Sequence, residues 1–288
     1  MDKTARILFI CLSVALAAAV GYAWQAGSGP ADHHLVILHV NDTHSHFEPE
    51  RLGEYAGMGG VIERAAFVDS VRRTVGAENV LLLHAGDFSQ GTTYFSELGG
   101  DLEIQTLNAM GYDAVTLGNH EFDNGLEDLS RRLSSLEMPV VVCNYDFSPF
   151  EMGQYVKPYV ILKKAGLKVG ILGVLCDLKS MVPADVAERV PEFPLYETVQ
   201  EYADLLKQKE KCDLVIALTH IGYTEHNPGD VTDPVLCSKT RNIDLFVGSH
   251  SHTFLDKMEY HPNADGVSTP VVQDGWMGVY VGQIDFRL

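Results

Sequence analysis

The residues able to do chemistry in this chain sit where apolar runs stop. Asp42 and His44 follow Leu35 to Val40, and Asp87 follows Asn79 to His84. Asn119, His120 and Asp123 follow Asp113 to Leu117, His220 follows Leu214 to Leu218, and His250 and His252 follow Asp244 to Val247. Taken singly, an Asp after a strand caps a helix and a loop His is solvated. Capping does not explain why imidazole and carboxylate recur at the C-terminal end of strand after strand. The chemistry they suit is metal coordination, because imidazole and carboxylate together fit zinc, manganese or iron and the Asn119 amide oxygen is an acceptable neutral ligand. In an extended strand end residues i and i+2 share a face, so Asp42 and His44 can grip one ion and His250 and His252 lie on one side. The set is too large for a single ion.

The elements that must position these groups follow from the apolar pattern. Leu35 to Val40 is a continuous β-branched and leucine run, as expected of a strand buried on both faces. Gly59 to Val75 has apolar residues at helical spacing, Asn79 to His84 is a second strand, and Asp101 to Met110 is a short helix stopped by Gly111. Asp113 to Leu117 is a strand, Gly125 to Leu136 a helix, and Pro139 to Cys143 a further strand. The loop Gly118-Asn119-His120-Glu121-Phe122-Asp123 thus lies between strand and helix, where α/β sheets present ligand groups. Tyr159 to Leu162 and Lys168 to Leu175 read as a hairpin about Ala165-Gly166. Pro194 to Lys211 is helical, and Val267 to Asp274 with Val279 to Phe286 are closing strands. Alternating strands and helices followed by hairpins predict one domain, a mixed sheet or two packed sheets flanked by helices.

The chain has 288 residues, 46% of them hydrophobic, which is ample for a buried core. Its formal charge of -18 argues against unassisted adhesion to nucleic acid or anionic lipid, both of which rest on Lys and Arg contacts. Lys3 and Arg6, the apolar run Ile7 to Trp24, and the small and polar residues Gln25 to Asp32 read as an export signal, with an uncleaved membrane anchor as the alternative. The division expected is therefore 1–32 as leader or anchor and 33–288 as the catalytic domain of an exported protein, periplasmic or anchored facing outward. Cys143, Cys176, Cys212 and Cys237 are widely spaced and lack a Cys-x-x-Cys pair, so a zinc-cysteine site is not indicated and their disulfide state is open.

The series Asn41-Asp42-Thr43-His44, Gly86-Asp87, Gly118 to Asp123, Thr219-His220 and Gly248-Ser249-His250-Ser251-His252 resembles the ordered motifs of the calcineurin-like metallophosphoesterases. Within them it is most similar to the catalytic N-terminal domain of the 5′-nucleotidase branch, and the likeness covers Leu35 to the C-terminus. The resemblance implies a four-layer sandwich of two mixed β-sheets flanked by helices. It implies two divalent ions, one held by Asp42, His44 and His252, the other by Asn119, His220 and His250, with Asp87 bridging. It also implies that Asn119 and His120 contact the substrate phosphoryl group and that Asp123 orients His120 at the leaving oxygen. The implied reaction is hydrolysis of a phosphate monoester, most naturally a nucleoside monophosphate, by a metal-bound hydroxide.

Two-domain members of that branch carry a further domain that supplies the base stack and phosphate-binding arginines. No counterpart is expected in this sequence, which ends at Leu288 after the closing strands. Two further readings follow: a phosphodiesterase acting on cyclic nucleotides or other diesters, and the catalytic half of a split nucleotidase served by a separate substrate-recognition chain. Trp276 and Met277 are read either as a substrate wall or as core. His46 is read as supporting or solvated and His84 as a core histidine. His39, His226 and His261 have no evident partner, and Glu121 has no assigned role. Asn41-Asp42-Thr43 matches a glycosylation sequon, but a sugar beside a metal ligand is not expected.

Overall fold

A computed structural model describes residues 18–25 and 33–287, with side chains from His33 onward. The leader expected over 1–32 lies outside the described residues except for Ala18–Gln25, which forms a strand. Among the described residues no helix is long and apolar enough to cross a membrane.

Strands are numbered along the chain: β1 (Ala18–Gln25), β2 (His34–Val40), β3 (Val80–His84), β4 (Ala114–Thr116), β5 (Val140–Val141), β6 (Val156–Lys157), β7 (Tyr159–Lys164), β8 (Leu167–Leu175), β9 (Leu214–His220), β10 (Leu245–Val247), β11 (Glu259–Pro262), β12 (Ser268–Val272) and β13 (Tyr280–Arg287). They form two mixed sheets, ordered β1-β13-β2-β3-β4-β5-β6 and β11-β12-β10-β9-β8-β7. In the first, β2 to β6 run parallel and β13 pairs antiparallel to β2. In the second, β8, β9, β10 and β12 are parallel, with β7 and β11 antiparallel at the edges.

The apolar runs are continuous because both faces of the central strands are buried. Leu35, Ile37, Leu81 and Leu83 point between the sheets and meet Ile216 and Leu218 of β9. Their alternates Val36, Leu38, Val80 and Leu82 point outward to a layer holding Val68, Ile104, Leu107 and Leu129 from helices. Alternation along the strand therefore sorts one hydrophobic run into two layers.

Most expected elements are present, with shifted ends. The helix expected over Gly125 to Leu136 stops at Leu133. That expected over Pro194 to Lys211 is α-helical over Leu195–Asp204 and then loosens into a π turn at Leu205–Lys209. At the hairpin, Ala165 (φ 52°) and Gly166 (φ 78°) are both left-handed, the type I′ geometry whose twist matches the flanking strands. The helices Thr93–Leu98 and Asp233–Lys239 and the strand β11 were not legible. The last is an edge strand that ends in Pro262 and alternates half-buried and exposed residues, so it carries no apolar run. Cys143, Cys176, Cys212 and Cys237 are free and buried.

Candidate dinuclear metal centre

The two sheets meet at the C-terminal ends of their parallel strands. Ser249 Oγ, beyond β10, donates to the Ala85 carbonyl beyond β3 at 2.6 Å, and His220 Nδ1 lies 2.9 Å from the same oxygen. Asp42 N donates to the Gly86 carbonyl at 3.0 Å. Groups from β2, β3, β4, β9 and β10 are thereby drawn into one place.

Three overlapping groups of ligand atoms result: Asp42, His44 and His252; His44, Asp87 and His120; and Asp87, His220 and His250. Within the first, His252 Nε2 is 3.7 Å and His44 Nε2 3.9 Å from Asp42 Oδ1, and the two Nε2 atoms face each other at 3.0 Å. Within the last, His220 Nε2 is 3.2 Å from Asp87 Oδ2 and 3.3 Å from Asn119 Oδ1. Asp87 Oδ2 is also 3.9 Å from His44 Nε2, so one carboxylate adjoins both groups.

The expectation that Asp42–His44 and His250–His252 lie on extended strand ends is corrected. Asp42, His44, Asp87, His250 and His252 all have positive φ, from 46° to 73°. A left-handed residue outside glycine costs of order 1–3 kcal/mol and persists only where its surroundings impose it. The kinks bring Asp42 and His44 together, but they send His250 to the His220 group and His252 to the His44 group. His250 and His252 thus do not share a face.

Electrostatics set the protonation of the cluster. Burial lowers the His44, His250 and His252 pKa values, the last two to about 3 and about 4, so these imidazoles are neutral and offer lone pairs. Burial lifts Asp42 to about 7, offset in part by His220. Burial also opposes ionisation of Asp87, but the adjacent His220 and His44 outweigh it and hold the carboxyl well below its usual range. The Ala85 carbonyl accepts from His220 Nδ1 and leaves Nε2 to face the cluster; burial lowers the His220 pKa, but the Asp87 carboxylate beside Nε2 prevails and raises it to about 9. The His44 and His252 Nε2 atoms face each other at 3.0 Å beside the Asp42 and Asp87 carboxylates, and His44 Nδ1 is buried with no hydrogen-bond partner among the described residues. The donor set fits divalent cations.

His120 and Asp123 lie at the rim, each about a third exposed, with His120 Nδ1 2.9 Å from Asp123 Oδ2. Burial pulls the His120 pKa down, yet the Asp123 hydrogen bond and the charges of Asp87, Asp123 and Glu121 prevail and raise it to about 9. His120 N also donates to Asp87 Oδ1 at 2.9 Å, tying this loop to the shared carboxylate.

Glu121, which sequence reasoning left without a role, is fully buried. It accepts from the backbone N–H groups of Asp87 (2.9 Å), Ser89 (3.0 Å) and Gly118 (2.6 Å), clamping the two ligand loops to each other. The approach is so close that a Cβ on Gly118 would collide with Asp87 and His220. Gln273 was also missed. Its Oε1 accepts from Thr253 N at 2.6 Å and its amide donates to the Ser249 carbonyl, bracketing His250 and His252. The sequence signal for Glu121 was its place in a polar loop; none marked Gln273.

The other histidines divide. His39 lies 2.9 Å from Asp274, His261 Nε2 lies 3.2 Å from the Tyr223 hydroxyl, and the His226 ring contacts that of His250 at 5.5 Å, so each has a neighbour that sequence did not show. His46 pairs with Glu50 and belongs to none of the ligand groups. His84 is buried, with Nε2 3.1 Å from Thr43 Oγ1. Asn41 is buried and its amide donates to Asp42 Oδ2 and the Gly275 carbonyl, so the sequon nitrogen is committed inside the protein. Met277 is core, whereas Trp276 is 37% exposed beside His252.

Carboxylates, imidazoles and an amide gathered at the strand ends of two mixed sheets define an α/β protein with a metal-binding donor set. Residues 35–254 match the family model described as calcineurin-like phosphoesterase, and the chain belongs to that family. It is 31% identical to protein UshA of Yersinia enterocolitica over 96% of this chain and 53% of that protein. It is 33% identical to snake venom 5′-nucleotidase of Naja atra over 87% of this chain and 50% of that protein. The crystal structure of a 5′-nucleotidase precursor from Thermus thermophilus superposes with a TM-score of 0.76 at 31% identity, covering 87% of this chain and 50% of that one. The chain thus spans about half the length of these relatives.

Proposed function

We propose that this chain is a metal-dependent phosphatase of monoesters, with nucleoside 5′-monophosphates as the substrate class. The observation that carries the reading is the single carboxylate, Asp87, adjoining two ligand groups directly beneath the His120–Asp123 pair. Asp42, His44 and His252 would hold one divalent ion; Asn119, His220 and His250 the other; Asp87 both. The ions are zinc, manganese or iron, the metals suited to this mixture of donors. When bound, such a pair supplies Lewis acidity toward the phosphoryl oxygens and toward water.

The remaining steps fall to the protein. With Nδ1 held by Asp123, His120 carries its transferable proton at Nε2, and a pKa of about 9 keeps it protonated at neutral pH. It donates that proton to the departing alkoxide, and Asn119 orients the phosphoryl group. The relatives named 5′-nucleotidase support the nucleotide as substrate. The charged, then apolar, then small-residue N-terminus supports export, to the periplasm by a cleaved leader or to an anchored position facing outward. The test is hydrolysis of AMP, p-nitrophenyl phosphate and bis(p-nitrophenyl) phosphate by metal-free protein with zinc, manganese or iron added back. Metal-dependent turnover of the monoesters, at least tenfold faster than of the diester, is expected; the reverse order would assign the chain to diesters.

A further inference from the structure

We propose that Trp276 is a stacking platform for the planar part of the substrate, making this enzyme favour phosphate esters that carry a nucleobase over the bare sugar phosphate. The proposal rests on the phosphatase reading above.

Trp276 lies flat on the His252 imidazole, with centroids 5.0 Å apart and planes 9° from parallel. Its ring also meets the edges of His44 (6.4 Å) and His46 (6.3 Å), so it stands over the first ligand group. It remains 37% exposed, although burying an indole is strongly favourable. A flexible loop would fold such a side chain inward. This loop is pinned: Asn41 Nδ2 donates to the Gly275 carbonyl at 2.6 Å, Gly275 N to the Thr253 carbonyl at 3.0 Å, and Met277 N to the Asp42 carbonyl at 2.7 Å. The turn needs left-handed backbone at Gly275 (φ 71°), Met277 (φ 55°) and Gly278 (φ 59°), so neighbours of the ligands hold the indole at the rim.

A rigid, partly exposed π face next to a phosphoryl-binding cluster recognises flat, weakly polar groups. Stacking is tolerant of base identity because every base presents a π face, and removing one such aromatic costs about 5- to 150-fold in binding. A second role, fixing the plane of His252 through the stack, makes a different prediction, since it would act on every substrate alike.

AMP and ribose 5-phosphate share the scissile ester and differ in the base, so their kcat/KM ratio isolates the platform. In metal-loaded full-length protein, Trp276→Ala should lower kcat/KM for AMP about 10- to 100-fold and for ribose 5-phosphate less than threefold, with Trp276→Phe recovering most of the AMP rate. The chain has only two tryptophans, so in a Trp24→Phe background adenosine should quench Trp276 emission while ribose does not. Equal losses on both esters, or an unchanged ratio with no quenching, overturns the platform and leaves the phosphatase reading standing. Failure of the wild-type protein to hydrolyse either ester overturns the reading itself, and the platform with it.

Discussion

The carboxylate of Glu121 accepts the backbone N–H of Asp87 at 2.9 Å and so fixes the residue shared by two of the three overlapping ligand groups. The same carboxylate reaches Ser89 and Gly118, so three backbone donors from two loops converge on one buried side chain. Glu121→Gln keeps the shape but exchanges one acceptor oxygen for a donor facing an N–H. Support of this kind is worth about 10- to 100-fold in metal affinity or activity. The variant should therefore bind metal more weakly in a chelator competition, with turnover partly restored by excess metal; unaltered affinity would show that the clamp is dispensable.

Asp87 itself is the point of coupling. Replacing it with Asn removes a charge adjoining His44 on one side and His220 on the other. Elemental analysis of Asp87→Asn should find both ions lost or depleted, whereas Asp42→Asn should deplete the His44–His252 site first. Retention of two ions by Asp87→Asn would disprove its sharing.

In the proposed mechanism His120 serves as the proton donor and not as a ligand. Loss of a positioned acid costs roughly 10²- to 10⁴-fold, so His120→Ala should lower kcat by that order with metal content unchanged. Asp123→Asn should lose less, because the imidazole stays in place and only its orientation and charge support go. If the His120 variant loses metal instead, the histidine is a ligand.

Acid sensitivity should report His84. Burial, with the nearby Arg64 charge, holds this imidazole's pKa at about 3 in the folded chain. An unfolded histidine titrates near 6.5, so between these values the unfolded state binds the extra proton and stability rises with pH. The contribution is complete above about pH 6.5 and is lost as pH falls toward 3. Urea unfolding of metal-free protein should give a steeper decline from pH 6.5 to pH 4 than in His84→Gln, by up to one proton, about 1.4 kcal/mol per pH unit. Parallel profiles would mean that His84 already titrates normally.

The primary sequence by itself marked the carboxylate, imidazole and amide groups that the strand ends bring near one another, and roughly where the central strands stop. Central strands buried on both faces announce themselves as unbroken apolar runs, and polar groups at their C-terminal ends are then conspicuous. Leu35 to Val40 and Leu214 to Leu218 were legible for that reason, as were Asp42, Asp87, Asn119 and His220 beyond the ends of such runs, though the second strand extends to His220 itself. Sequence spacing did not decide how the ligands are shared out. His250 and His252 part company because each is left-handed, a backbone state imposed by hydrogen bonds to Asp42 and Gln273 from distant segments. Nor did it reveal Glu121 as the clamp or decide between wall and core for Trp276, since both outcomes depend on partners far along the chain. Composition and period are local properties; the sharing of ligand residues among overlapping groups arises only where two sheets bring their strand ends together.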